Sequence, residues 1–410
     1  MKNIDIAYIG GGSRAWARNL MNDLALEKEL CGTVRLYDTD HQAALVNEKI
    51  GNMYGKVPGA VSEWKYKAVG SLGEALQGAD FVLISILPGT FDDMDSDVHL
   101  PEKFGIYQSV GDTVGPGGMM RTARAVPAYA LFAQMIRQHC PEAFVINFSN
   151  PMTTLTGTLY KVFPGIKAFG CCHEVFGTRR LLAAMLREMG IAEDAAKNDI
   201  EVNVLGINHF TWIDRAYYKD NDLIPLYRNF SEKHFEKGYC IDGTWDSSFF
   251  SSGNRVKFDL FRRYGLIAAA GDRHLAEFCP GWYLKTPEEA SKWQFSLTPV
   301  EWRKNDRIER MERSIRIMAG EEPVSLVDTG EDAVSLIKCL AGGGTTLSNV
   351  NMPNNGSHGG IPLGAVVETN AVFSNDGVTP VDSGRLPRDI EILVLRHVYN
   401  QEALVEACLE

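Results

Sequence analysis

Ile4-Asp5-Ile6-Ala7-Tyr8-Ile9-Gly10-Gly11-Gly12-Ser13-Arg14-Ala15 takes the chain from a short apolar run straight into three glycines. Residues 14–30 then carry Trp16, Leu20, Leu24 and Leu26 at helical spacing, so the stretch reads as strand, tight turn and helix. Gly10, Gly12 and Ala15 fill the three small positions of a GxGxxA pattern. Gly10 permits the turn, Gly12 lets backbone approach a pyrophosphate, and Ala15 allows the helix to pack closely on the sheet. The free N–H groups at the start of that helix then face the phosphates.

Working outward, residues 33–37 predict a second strand ending at Asp38, and residues 41–54 a second helix. A carboxylate at the end of that strand binds ribose hydroxyls and repels a 2′-phosphate, which favours NAD over NADP. Residues 81–86 form a strand with no polar alternation, as suits a parallel sheet buried on both faces, and residues 144–148 supply another. Such alternation predicts an α/β fold with ligands at the carboxyl ends of the strands. The expected architecture is an N-terminal Rossmann-type doubly wound parallel sheet over 1–175, then a C-terminal mixed α+β substrate and oligomerisation domain over 176–410. Gly10, Gly11, Gly12, Ser13 and Asp38 are the expected cofactor contacts.

A chain of 410 residues exceeds one ordinary hydrophobic core. Its net charge of −11 argues against a nucleic-acid partner, whose phosphates need a basic footprint. No apolar run approaches the roughly 18 residues of a membrane span. Eight cysteines show no framework spacing, and the start Met1-Lys2-Asn3 leads directly into a strand without room for a secretory leader. Reduced thiols in the cytoplasm are the expectation.

The stretch from Gly111 to Gly118 carries too many glycines for a bland connector. It reads either as a surface loop or as a wall over the nicotinamide, with Gly118 near the cofactor and Arg121 or Arg124 reaching an anion. Asn150, at the carboxyl edge of a strand, suits either a helix cap or a contact to a substrate hydroxyl. Cys172 and His209 pair a soft thiolate with an imidazole. With the remaining positions open to substrate oxygens, that donor set suits manganese, iron, cobalt or nickel. Residues 286–320 read as helical with a solvated charged face, and the polar stretch 349–360 as a loop that lines the cleft or bridges two strands.

Gly10-Gly11-Gly12-Ser13, Gly115-Pro116-Gly117-Gly118 with the arginines after it, Asn150-Pro151, Cys172-His173-Glu174-Val175 and Gly206-Ile207-Asn208-His209 together resemble glycoside hydrolase family 4, in order and over most of the chain. NAD-dependent members of this family are exceptions to the two-carboxylate scheme of glycosidases. The resemblance implies that NAD takes hydride from C3 of the sugar and that the ketone acidifies the proton at C2. A base removes that proton while a divalent metal on the C2 and C3 oxygens acts as Lewis acid. The aglycone leaves by elimination, water adds, and the hydride returns.

By motif match, Cys172 and His209 are the implied metal ligands, Mn2+ or another divalent transition metal, and His173 stands where the family places a general acid. Asp272, in Gly271-Asp272-Arg273-His274, is the implied base, with Tyr264 and Tyr283 as alternatives. Asn150, Arg121, Asn208 and His274 are the expected sugar contacts. Cys-His-Glu-Val resembles the α-galacturonidase branch, whose uronate needs a guanidinium; Arg121, Arg179, Arg263 and Arg273 stand near the motifs. Relatives usually continue with further helices beyond the stretch that ends here at Glu410, and a homodimer or homotetramer is implied. An α-glucosidase or α-galactosidase of the same family is the near alternative. A simple NAD-dependent sugar dehydrogenase, which would accumulate NADH, and a non-enzymatic NAD sensor are the more distant ones.

Overall fold

The computed structural model describes residues 1–327 and 329–410. Its first half runs β1 (Lys2–Ile9), α1 (Trp16–Leu26), β2 (Leu30–Tyr37), α2 (His41–Tyr54), β3 (Trp64–Ala68), α3 (Leu72–Leu76), β4 (Phe81–Ile84), α4 (Phe91–His99), α5 (Gly115–His139), β5 (Phe144–Asn147), α6 (Met152–Val162), β6 (Lys167–Gly170) and α7 (Glu174–Glu188). The six strands are parallel and lie in the order β3-β2-β1-β4-β5-β6. The order reverses between β1 and β4, the switch point at which open α/β sheets bind ligands.

Both faces of this sheet are covered, which is why its central strands read as unbroken apolar runs. Ile6, Tyr8, Leu83 and Ile146 enter one core, and Ala7, Ile9, Val82, Ile84 and Val145 enter the other. Gly10 turns away from β1 at φ +94°, where a Cβ would lie 2.0 Å from the Ser85 carbonyl oxygen. Only glycine fits there.

Three strands from the second half extend the same sheet beyond β6. Thr346–Pro353 runs antiparallel to β6 with Asn351 opposite Gly170, followed by Val366–Ser374 and Gly377–Pro380. The start of the polar stretch 349–360 is therefore a buried strand. Asn349 donates to Glu368 at 2.8 Å within the protein, and a strand so poor in β-formers carries no strong signal. Likewise Gly115–Gly118 forms the first turn of α5, not a loop.

The second sheet pairs β7 (Ile200–Ile207) with β8 (Phe210–Tyr218) through the two-residue turn Asn208-His209, and Ile267–Ala268 adds to β8. The helix Val300–Ala319 buries Val300, Ser314 and Ile317 and leaves most of its charges solvated. The last helix, Arg388–Leu409, lies on α5 and α6.

Candidate active site

At the dinucleotide end the amides of Gly10 and Gly11 both donate to the Tyr37 carbonyl at 2.9 Å, locking the turn onto the end of β2. The Gly12 amide donates to Asp38 Oδ2 at 2.8 Å, and Asp38 Oδ1 accepts from the Asp40 amide. A Cβ on Gly12 would lie 2.9 Å from that carboxylate and 2.7 Å from Ala43, so the cradle exists because a side chain is missing. Asn47 of α2 donates to the carbonyls of Gly11 and Ser13 at 2.8 Å each and is itself held by Arg18. A turn fixed in this way, close-packed for want of side chains, with the start of α1 beyond it and a half-buried carboxylate at the strand end, suits a dinucleotide's pyrophosphate and ribose.

The other end of the crevice, where the sequence expects the sugar, is assembled from separated segments. His209 and His274 stack at 3.6 Å between ring centroids. Asp112 Oδ1 lies 3.9 Å from Nδ1 of each, and Glu174 Oε1 lies 3.8 Å from His274 Nε2. Asp112, His209 and His274 each offer a donor atom within 4.8 Å of the others'. His209 sits at φ +64°, a left-handed conformation uncommon outside glycine, imposed by the two-residue turn, and Thr113 meets its Nδ1 at 2.8 Å. Asn150 donates to Asp112 at 3.1 Å, and the Asn150 carbonyl accepts from Arg121 Nε at 3.0 Å.

The electrostatics follow from crowding. Burial opposes ionisation of Asp112, but His274, His209 and Arg121 outweigh it and hold the carboxyl far below its ordinary range. Glu174 is likewise brought down to about 2 against its burial, by the three neighbouring histidines and the Gly271 amide. Burial, then His274, pushes His209 down to about 3, so its imidazole is neutral and free to ligate. Burial and the nearby carboxylates of Glu368 and Glu174 push the Cys172 thiol well up, although the Asn208 amide favours the thiolate. Among the described residues, Asn208 Oδ1, Asn150 Oδ1 and His274 Nδ1 are buried without hydrogen-bond partners, which leaves three polar atoms of this cluster open to a ligand.

Of the residues expected from sequence, Cys172, Glu174, Asn208, His209, His274, Asn150 and Arg121 converge on this end. Asp272 does not face it. Its two oxygens accept from the Val256 and Lys257 amides at 3.2 and 3.1 Å, and the fully buried carboxylate caps the helix Arg255–Tyr264. The same motif delivers His274, two residues on, to the crevice. Neither alternative base joins it: Tyr283 is buried and donates to Asp259, and Tyr264 packs edge-on against Trp212. His173 is exposed and packs on Trp16, ring centroids 5.8 Å apart, at the rim nearest the glycine turn. Gly118 serves packing, since a Cβ there would meet the Thr113 backbone at 2.4 Å. Asn150 caps no helix, and Pro151 stands at that position.

Family models for family 4 glycosyl hydrolases match residues 5–188, and models for their C-terminal domain match residues 204–410. The chain belongs to glycosyl hydrolase family 4. An α-galacturonidase of Thermoanaerobacterium saccharolyticum is 57% identical over 411 residues, covering 100% of this chain and 88% of that protein. The crystal structure of lplD from Bacillus subtilis superposes with a TM-score of 0.95 at 53% identity, covering 100% of this chain and 93% of that one. A Thermotoga maritima 6-phospho-β-glucosidase, solved with manganese, NAD+ and glucose-6-phosphate, has a TM-score of 0.77 at 19% identity, covering 99% and 90%, and so shares the fold.

Sequence reasoning missed the residues that give this family 4 site its charge balance. Asp112 lay inside a glycine-rich stretch read for its backbone, and Glu174 inside a motif read for its cysteine. Glu277, whose Oε1 accepts from the Val110 and Gly111 amides at 2.6 and 2.7 Å, fixes the Asp112 loop from a helix with no local signal. Among the described residues no helix is long and apolar enough to cross a membrane.

Proposed function

We propose that this chain is a cytoplasmic α-galacturonidase that cleaves unphosphorylated α-linked galacturonides through transient oxidation of the sugar. The observation that carries the reading is the crevice itself, with a dinucleotide cradle at one end and a histidine–carboxylate cluster at the other. A glycosidase working by displacement needs two carboxylates and no nucleotide cradle. The 57% identical relative named an α-galacturonidase supports the substrate class.

NAD, when bound on Gly10–Ser13 and Asp38, would supply a reversible hydride acceptor, and a divalent cation such as Mn2+ would supply Lewis acidity. His209 is common to the donor set expected from sequence, with Cys172, and to the set the fold assembles, with Asp112 and His274. His209 and Cys172 would hold the cation, with Asp112 completing the charge.

His274 would take the proton from C2. It lies between two ionised carboxylates, Asp112 at Nδ1 and Glu174 at Nε2, which stabilise the imidazolium formed. His173, at the solvent rim, would return a proton to the departing aglycone. Asn150 and Asn208, each with a free amide oxygen, would orient sugar hydroxyls.

Turnover of an α-galacturonide in heavy water, with NAD and manganese, tests this. Galacturonate should carry deuterium at C2, and the nicotinamide band should show no lasting rise. His274→Gln should lower turnover about 10³-fold and abolish the exchange, whereas Asp272→Asn should keep it. Product without deuterium would establish direct displacement, and net NADH would establish a dehydrogenase.

A further inference from the structure

We propose that Arg303, together with Arg121, grips the C6 carboxylate of the sugar and so selects uronides over neutral hexosides. The proposal rests on the uronide reading above and names the group that enforces it.

Arg303 is the fourth residue of the helix Val300–Ala319, where the positive end of the helix disfavours a cation. Lys304, Arg310, Arg313 and Arg316 of the same helix each pair with a protein carboxylate, and Arg307 is exposed. Arg303 is half-buried and, among the described residues, has no hydrogen-bond acceptor or ion-pair partner. A partly desolvated guanidinium with no protein acceptor, placed against the helix dipole, is costly unless an anion from outside satisfies it.

Its position ties it to the sugar end. The Thr298 amide donates to the Ser109 carbonyl at 3.3 Å, and Arg273 joins the same carbonyl at 2.7 Å to the Thr298 hydroxyl, so the start of this helix is stapled to the loop carrying Asp112. Trp302, packed on Phe250 at 5.1 Å between centroids, fixes the neighbouring turn. Asp112 favours the Arg303 charge against its burial, and Arg303 in turn opposes the charge of Arg121. Arg121 uses Nε on the Asn150 carbonyl and, among the described residues, leaves its terminal nitrogens without a protein acceptor. Arg303 and Arg121 thus both act on the half-buried Asp112 carboxylate, and among the described residues the terminal nitrogens of both stay open to an incoming carboxylate.

Arg273, Arg263 and Arg179, the other arginines near the motifs, are committed elsewhere. Arg273 holds Ser109, Ser296 and Thr298; Arg263 pairs with Asp259; Arg179 holds the Ile200 carbonyl.

The test compares wild type with Arg303→Gln and Arg303→Lys on 4-nitrophenyl α-galacturonide, α-galactoside and 6-phospho-α-galactoside. In Arg303→Gln, kcat/KM for the galacturonide should fall roughly 30- to 100-fold, mostly through KM, the size of a lost charge-assisted contact. The galactoside should change less than about twofold, NAD binding should be unaltered, and Arg303→Lys should recover part of the loss. An equal fall for both glycosides, or none, overturns the proposal. A wild type that prefers the 6-phosphate overturns the carboxylate. Calorimetric titration of galacturonate into the NAD- and manganese-loaded protein decides the guanidinium's role even if no galacturonide is cleaved, an outcome that would break the functional reading alone. Weaker binding in Arg303→Gln supports the proposal, and unchanged binding refutes it.

Discussion

The dinucleotide end of the crevice is backbone from one contiguous stretch, Gly10–Ser13, answered by the single carboxylate Asp38, whereas the sugar end draws Asp112, Glu174, His209 and His274 from four separated segments. The first depends on side chains that are absent, and its geometry is fixed by amides donating to the end of β2. The second depends on a balance among buried charges, in which two carboxylates stay ionised because imidazoles and Arg121 surround them. Removing one group should therefore cost far more at the sugar end, where every neighbour has been set by the missing one.

The strongest attempt to break that contrast is His209→Ala. Turnover should fall by more than about 10³-fold, since a cation that polarises the sugar oxygens is worth several kcal/mol in the transition state. Manganese affinity followed by electron paramagnetic resonance should fall with it while NAD binding is kept. Cys172→Ser should weaken manganese binding by about 10- to 100-fold, as a hard hydroxyl replaces a thiolate that the cation itself must generate. Manganese held at wild-type strength in both variants would move the cation off these ligands and leave the two ends of the crevice equally tolerant.

At the other end the expected effect is smaller. Asp38→Ala removes the acceptor for the Gly12 amide and a charged contact to ribose, so NAD affinity should drop about 10- to 100-fold by fluorescence titration, with NADP losing less than NAD. Manganese binding should not change. An Asp38 variant with undiminished NAD affinity would mean that the Gly10–Ser13 backbone suffices alone.

The same contrast explains what could be read from the chain. The dinucleotide end was legible because its chemistry is local: a strand, three glycines, a helix and a carboxylate at the next strand end all declare themselves within forty residues. The parallel, doubly wound character of the first half followed from its apolar strands, whereas Trp64–Ala68, Lys167–Gly170 and the three added strands were hidden, the last because polar residues such as Asn349 are buried on protein partners instead of on solvent. At the sugar end, the motifs delivered most of the expected side chains, but the carboxylate expected as the base, Asp272, points away from the crevice. In Asp272-Arg273-His274 the helical turn aims the first residue at a helix N-terminus, the second at Ser109 and Thr298, and the third at the crevice. The match to the family motif favoured the carboxylate. Only the surrounding elements decide which of three adjacent polar groups meets the substrate.

Asp272 itself gives the finest test of the contrast, since it is a carboxylate whose surroundings act in the opposite sense to those of Asp112 and Glu174. Burial raises its carboxyl to about 6, although Lys257 and the helix amides favour the ionised form. The unfolded value is about 3.9, so the folded state binds this proton more tightly and the free energy of unfolding declines as pH climbs from about 4 to about 6, by at most about 3 kcal/mol. Asp112 and Glu174, held below their unfolded values, contribute stability that is present above about pH 4 and lost as pH falls. Asp272→Asn has no proton to release. Its urea midpoints between pH 4 and pH 6 should therefore rise relative to wild type as pH increases, partly offset at every pH by the loss of one charged acceptor at the helix start, with C2 exchange intact. A variant that tracks wild type across that interval would show that Asp272 is ionised throughout and that the two kinds of carboxylate are tuned alike.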